Sequence, residues 1–324
     1  MNSINANIDI FFSQYNFTKR NYNIIVSSDN GTGKFDFIEA IIQKYFNNLD
    51  VKINNLISAP DILYISLPLY DKSGKQIRVI DNSERLLYEF GFEDKFDNYR
   101  VGSEISIDQI RQINEFSSIT SIYNHKFIII NNCNFLNQQS SAALLKILEE
   151  TNTACVFFLL SSDIGMLKDT IKSRCHVFNL KLDNDYKIGD SFFNYFLSLR
   201  PKLYQINKSY DYMREYNLVE NEISDLYSNK SNPLAYSTSW MERGSAFIEY
   251  LQLMFNFLLQ GFYHNESNEL EKKYLELHKK IPIKPNQLLK IIHHLNNFKM
   301  NIRANLNKKL FYDNLLIVLN RELY

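Results

Sequence analysis

Asn23-Ile-Ile-Val-Ser27 followed by Ser28-Asp-Asn-Gly31-Thr-Gly33-Lys34-Phe35 is the stretch that decides the fold. An apolar, β-branched run enters a turn with two glycines, and a helix-period segment begins at Lys34. The turn stands close to the pattern G-x-x-x-x-G-K-[ST]. In that pattern backbone amides at a helix N-terminus cradle phosphates, the Lys reaches the β- and γ-phosphates, and the hydroxyl holds Mg²⁺. Gly31, Thr32, Gly33 and Lys34 are in place, whereas Ser28 replaces the first glycine and Phe35 replaces the hydroxyl. The plain alternative is a Gly-containing turn before a helix. The context favours a P-loop fold whose nucleotide function is weakened or lost.

Outward from this unit the first half of the chain keeps alternating. Residues 62–67 (ILYISL), 126–131 (KFIIIN) and 154–161 (ACVFFLLS) are continuous apolar runs, followed by a short one at 176–180 (HVFNL). Such runs suit strands covered on both faces of a parallel sheet. Residues 34–47, 106–120, 138–150 and 166–173 read as helices, the second capped by Asp108 or Ser106. In 138–150, Ala142, Leu145 and Leu148 are expected to form the core-facing stripe. This alternation predicts an α/β layered domain over 1–180. A polar, Tyr- and Asn-rich region follows to 236, and from Trp240 the pattern is helical. The helices expected there are 244–259, 269–280, 287–302 and 308–323, separated by Gly261, by Pro282 and Pro285, and by Asn305 and Asn307.

Over the 324 residues, 36 Lys and Arg balance 36 Asp and Glu, with 45% of residues hydrophobic and 22% charged. A chain of this size buries roughly 75% of its unfolded surface, which excludes a disordered chain and a disulfide-stapled miniprotein. Zero net charge argues against strong non-specific nucleic-acid binding by the chain on its own. Cys133, Cys155 and Cys175 are too few and too scattered for a zinc site or a disulfide framework. The N-terminus shows no secretory signal. The apolar stretch 246–259 carries Glu249, Gln252 and Asn256 and is shorter than the roughly 20 residues a bilayer span needs. A cytoplasmic protein without a membrane partner is the expectation.

Two further places bear on chemistry. A P-loop ATPase of this kind would follow the strand 126–130 with Asp and Glu, which hold Mg²⁺ and polarise the attacking water. Here Asn131-Asn132-Cys133-Asn134 follows. Amides are neither general bases nor good ligands for a hard cation. With Phe35 at the hydroxyl position, two independent parts of the magnesium site are missing, and the chain is expected not to hydrolyse ATP. Magnesium-free binding of ATP or ADP through Lys34 stays open; no metal and no required cofactor are expected. The second place is Ile171-Lys-Ser173-Arg174-Cys175. Taken singly, Arg174 is a common helix C-terminal residue and Cys175 a small buried hydrophobe.

Taken in order, Ala143-Leu-Leu-Lys-Ile-Leu-Glu-Glu150, the strand Phe157-Phe-Leu-Leu-Ser-Ser162 and Ile171-Lys-Ser-Arg-Cys175 resemble bacterial DNA polymerase III clamp-loader subunits, and among them the delta-prime group. Ala59-Pro60-Asp61 is similar to that group's His-Pro-Asp, with Ala59 in place of His. Ile107-Asp108-Gln109-Ile110-Arg111 matches its Ile-Asp-Gln-Ile-Arg helix, and Asn305-Leu-Asn307-Lys-Lys-Leu310 resembles the opening of its last helix. The four-cysteine zinc module common in the group is absent, and Thr151-Asn152 replace the two prolines that usually follow Glu-Glu. The resemblance is dense over 20–180 and thin beyond.

The resemblance implies an AAA+ P-loop domain with a parallel sheet and flanking helices (1–180), a small helical lid (181–238) and an all-α collar (239–324). It implies a five-membered hetero-oligomeric ring with gamma/tau and delta subunits, part of the DNA polymerase III holoenzyme, which loads the sliding clamp on primer–template DNA. Arg174 would reach an ATP bound by a neighbouring gamma/tau-type subunit as a trans arginine finger, flanked by Ser173 and Cys175. Phe247, Ile248, Tyr250, Leu251, Met254, Phe255, Phe257 and Leu258 leave their helix almost no polar face, and burial by partner subunits is expected for that segment. Lys126, Lys146, Lys168 and Lys172 are candidates for backbone phosphate contact, each more simply read as a solvated surface group. The competing readings are an ATP-hydrolysing gamma/tau-type motor subunit and a stand-alone P-loop-derived scaffold.

Overall fold

The computed structural model describes residues 2–17, 21–53, 56–77, 99–150, 154–181, 191–200, 213–244, 246–262, 269–301 and 307–323. The described chain falls into two compact units, one built from residues up to 183 and the other from 184 onward. Thr151, Asn152 and Asn305 lie outside the described residues.

In the first unit, α1 (Asn2–Gln14) precedes β1 (Tyr22–Ser27) and α2 (Lys34–Asn47). Next come β2 (Ile62–Ile65), the short β3 (Leu69–Asp71), β4 (Gln76–Ile77) and β5 (Tyr99–Val101), then α3 (Ile107–Ser118) and β6 (Lys126–Ile130). The unit closes with α4 (Gln138–Glu150), β7 (Cys155–Ser161), the single turn α5 (Asp169–Lys172) and β8 (His176–Asn179). Five strands form a parallel sheet in the order β2-β6-β7-β1-β8. All residues of β6 and β7 are buried, which is why their sequences run apolar without alternation. Ile24, Val26, Phe127, Ile129, Val156 and Phe158 share one cluster with Phe11 of α1 and Phe37 and Ile41 of α2. The edge strand β8 is tied down by Asn7, whose side-chain amide exchanges two hydrogen bonds with the backbone of Lys181.

The α/β expectation is met, with three local differences. The small antiparallel sheet β4-β3-β5 and the helix α1 have no counterpart in the sequence reading. In α4 the buried residues are Ser140, Ser141, Leu144, Ile147 and Leu148, while Ala142 is exposed and Leu145 half-buried. A spacing of i, i+3, i+6 drifts off one face of a 3.6-residue helix, and i, i+3, i+7 from Ser141 stays on it. Of the two cap candidates, Ser106 is the N-cap of α3, in a reciprocal capping box with Gln109.

The second unit is helical: α6 (Phe192–Ser198), α7 (Val219–Tyr227), α8 (Ser237–Glu242), α9 (Ala246–Gln260), α10 (Glu269–Lys280), α11 (Pro285–Asn301) and α12 (Lys308–Leu323). One apolar cluster runs from Phe192 to Leu323, so residues expected in a lid and residues expected in a collar share it. The expectation that partners cover α9 is corrected here. Phe247, Ile248, Tyr250, Leu251, Met254, Phe255, Phe257 and Leu258 are buried in the chain's own core, among them Phe192, Tyr216 and Trp240. Glu222, buried beside this core, accepts hydrogen bonds from Trp240 Nε1 at 2.8 Å and from Arg243 Nη1 and Nη2 at 2.6 and 2.7 Å. Asn307 Oδ1 accepts from the backbone of Lys309 and Leu310 and so caps α12.

At Gly261 an added Cβ would stand 1.9 Å from the Tyr274 ring. Gly261→Ala is expected to lower the stability of the second unit by about 1–3 kcal/mol, read in urea through the fluorescence of Trp240, the chain's one tryptophan. In the first unit, His125 leads into β6 with Nδ1 at 2.9 Å from the Tyr45 hydroxyl, and its Nε2 is buried without a partner. Burial holds its imidazole below the ordinary value of 6.5. The folded form binds this proton less readily than the unfolded chain, so the stability it contributes is full above pH 6.5 and is lost as pH falls. Protection of the β6 and β7 amides from exchange is expected to fall with acidification in the native chain and to flatten in His125→Gln.

Candidate functional site

The loop between β1 and α2 has the backbone its glycines require. Gly31 and Gly33 take φ of 82° and 97°, the left-handed region that residues with a Cβ avoid, and Gly33 is the N-cap of α2. Lys34 Nζ donates to the carbonyl oxygens of Ser28 and Asp29 at 2.7 and 2.8 Å. Thr32 Oγ1 donates to Asp29 O at 2.9 Å, and the Ser28 and Thr32 hydroxyls are in contact. Ser28 N donates to Ser161 O, which ties the loop to β7. A braced loop, a helix N-terminus and a lysine make a concentration of positive potential.

The positions that would hold a cation are filled otherwise. Phe35 is buried with its ring edge-on to Tyr64, centroids 5.5 Å apart. The Tyr64 hydroxyl accepts from Asn131 Nδ2 at 3.0 Å. Asn132 takes a left-handed φ of 54° and donates its backbone N–H to Asn131 Oδ1. Asn132 Nδ2 and Asn134 Oδ1 are buried without a partner. The thiol of Cys133 is fully buried and pushed up, by burial first and by Cys175 second, with its Ser161 hydrogen bond and the Lys34 charge acting the other way. A ring and two amides occupy the places of a hydroxyl and two carboxylates, so these residues do not fit Mg²⁺. Among the described residues, no group of three or more His, Cys, Asp or Glu converges to hold a metal ion.

Arg174 sits elsewhere. Asn23 Nδ2 donates to Arg174 O at 3.2 Å, and His176 pairs with Ile24, which puts this segment level with the start of β1. From Asn23 to Ser28 is five residues, or roughly 16 Å along the strand. The loop 28–35 and Asn131–Asn132 therefore share the carboxyl end of the sheet, and Arg174 lies toward the other end. Its side chain is 40% exposed and reaches Glu149 through Nε and Nη2. Nη1 donates to Thr170 O at 3.1 Å and to Ser173 Oγ at 3.4 Å. Ser173 is exposed, and the half-buried Cys175 thiol is pushed up to about 12 by burial, which removes it as a nucleophile.

Other matched motifs have structural work. The Asp61 carboxylate accepts backbone N–H bonds from Ile122 and Tyr123 and so sets the entry to β6. Gln109 Nε2 donates to Ser66 O beyond β2. Lys126 is corrected as a solvated candidate for phosphate contact: it is 3% exposed, and its ammonium lies over the Phe116 ring and on Phe116 O. Lys172 pairs with Asp169 at 2.7 Å. Glu149 and Tyr64, which hold the two key groups, were not separable from their neighbours by any local sequence signal.

A family model described as DNA polymerase III, delta subunit, matches residues 5–184. DNA polymerase III subunit delta' of Haemophilus influenzae is 35% identical over 85 residues, 26% of this chain and 26% of that protein. The chain thus matches about a quarter of the length of that curated relative. Among solved structures, a DNA polymerase III gamma subunit-related protein from Thermotoga maritima aligns at 19% identity and a TM-score of 0.42, covering 99% of this chain and all of that one. The RuvB Holliday junction branch migration motor of the same organism aligns at 10% identity and a TM-score of 0.33, covering 98% and 85%. No helix of the described residues is long and apolar enough to cross a membrane.

Phe35→Thr restores a hydroxyl but removes a buried ring. It is expected to cost the first unit about 3 kcal/mol, measured by hydrogen exchange of the β1 and β6 amides. No magnesium-dependent protection is expected to appear, because Asn131 and Asn132 still offer no carboxylate.

Proposed function

Because the chain belongs to the DNA polymerase III delta-subunit family, we propose that it acts as a delta-prime-like clamp-loader subunit, inactive as an ATPase and completing a neighbour's ATP site with Arg174. One observation supports this reading: the loop, with Phe35 in place of a hydroxyl residue, and Arg174 stand at opposite ends of one sheet. A guanidinium with a permanent charge and a planar fork suits a γ-phosphate. Placed on developing charge in phosphoryl transfer, such a group is worth about 10³–10⁵ in rate. Roughly 16 Å of strand separates Arg174 from its own loop, so the nucleotide it serves belongs to another subunit.

The proposed neighbours are gamma/tau-type and delta subunits, in a ring that opens the sliding clamp onto primer–template DNA in the cytoplasm. Residues 1–180 would be the AAA+ module, 181–238 the lid and 239–324 the collar. Lys34 would offer at most a magnesium-free contact to a nucleotide, since its ammonium is already on two loop carbonyls. A motor subunit would need both a side-chain hydroxyl at residue 35 and a carboxylate at 131–132, and neither stands there.

In a loader reconstituted from this chain and its neighbours, Arg174→Ala is expected to lower DNA-stimulated turnover at the completed site by about 10³-fold. Lys34→Ala is expected to leave that turnover nearly unchanged. Magnesium-dependent ATP hydrolysis by the purified chain, or full turnover with Arg174→Ala, would overturn the proposal.

A further inference from the structure

Arg174 is exposed, yet its guanidinium is committed within its own chain. Nε and Nη2 contact Glu149 Oε1, and Nη1 is shared between Thr170 O and Ser173 Oγ. All three nitrogens are engaged. Thr170 and Ser173 belong to the turn that carries Arg174, whereas Glu149 comes from the last turn of α4, 25 positions away in sequence. An acid in the last turn opposes the negative end of a helix dipole, so Glu149 is not there for the helix. The adjacent cation Lys172 is taken by Asp169 and does not compete for it. Half-exposed pairs of this kind are weak and are screened by salt. A polyphosphate brought by another subunit offers the same fork more charge and can displace the carboxylate.

We infer that Glu149 is a positioning residue, which parks Arg174 in a folded-back state and releases it when an anion of a neighbouring subunit arrives. The release rests on the trans-acting reading of Arg174; the parking does not. Parking keeps an exposed guanidinium from stray anions and sets a threshold for engagement. With Glu149 neutralised, engagement should need less nucleotide, and the rate at saturation should stay the same.

The contact is tested first in the isolated chain, by the rate at which phenylglyoxal modifies Arg174, followed by peptide mass. Glu149→Gln is expected to speed modification about two- to fivefold, with Glu149→Asp in between. Added salt should accelerate the native chain and leave Glu149→Gln unaffected. Equal rates in the native chain and Glu149→Gln overturn the parking. In the reconstituted loader, Glu149→Gln is expected to lower the KM for ATP at the completed site with kcat retained. A loss of kcat at unchanged KM would make Glu149 part of the hydrolytic machinery and overturn the inference. If Arg174→Ala leaves turnover intact, the trans reading and the release fall together, while the modification rates still report on the contact itself.

Discussion

The edge-on contact of Phe35 with Tyr64, with the Asn131 amide on the tyrosine hydroxyl, is the constraint on which the rest turns. A magnesium ion between phosphate and protein is held by hard oxygen ligands at about 2.1 Å, from hydroxyl, carboxylate, phosphate and water. The aromatic pair packs next to the loop, and the Asn131 amide presents N–H hydrogens to the tyrosine oxygen where a cation would need lone pairs. Restoring one group would not restore the set, because the ring, the hydroxyl and the amide are packed against one another. The loop itself keeps its shape: Lys34 and Thr32 brace it from inside. The loop thus stands as a braced structural corner of the sheet.

A parallel sheet then dictates which ends the loop and the arginine occupy. All strands run the same way, so every loop that follows a strand opens at the carboxyl end and every loop that precedes one opens at the other. Ser27 leads into the loop 28–33, and Arg174 leads into β8 alongside β1. The two cannot meet without breaking the register of β1 and β8. Roughly 16 Å of strand lies between them.

The sheet was legible because burial on both faces writes itself into sequence as unbroken apolar runs, and 126–131 and 154–161 are such runs. Helix ends were legible where a cap or a glycine marks them, as at Ser106, Asn307 and Gly33. Faces were less so. Ala142, Leu145 and Leu148 sit at three-residue steps that slip round the helix, and the serines actually buried in α4 carry no hydrophobic signal. The helix α9 was read correctly as buried and wrongly as covered by partners, since periodicity reports burial and is silent on which chain provides it. The site divided in the same way. Phe35, Asn131 and Arg174 announce themselves by type at a motif position. Tyr64 and Glu149 act through contacts 67 and 25 residues long, which no local pattern contains.

The opposite character of two arginine sites closes the physical picture. Arg243 is 5% exposed, held by two short hydrogen bonds to Glu222, which also binds Trp240. Removing Glu222 would leave Arg243 buried with only the Glu215 carboxylate at 3.9 Å, and removing a partner from a buried pair costs several kcal/mol, so this pair is structural. Arg174 and Glu149 are both about half in water, and separating them leaves two solvated ions. Pairs of the first kind fix a core. A pair of the second kind can open and close at little cost, which is the property a group needs if it is to spend part of its time on another subunit's phosphate.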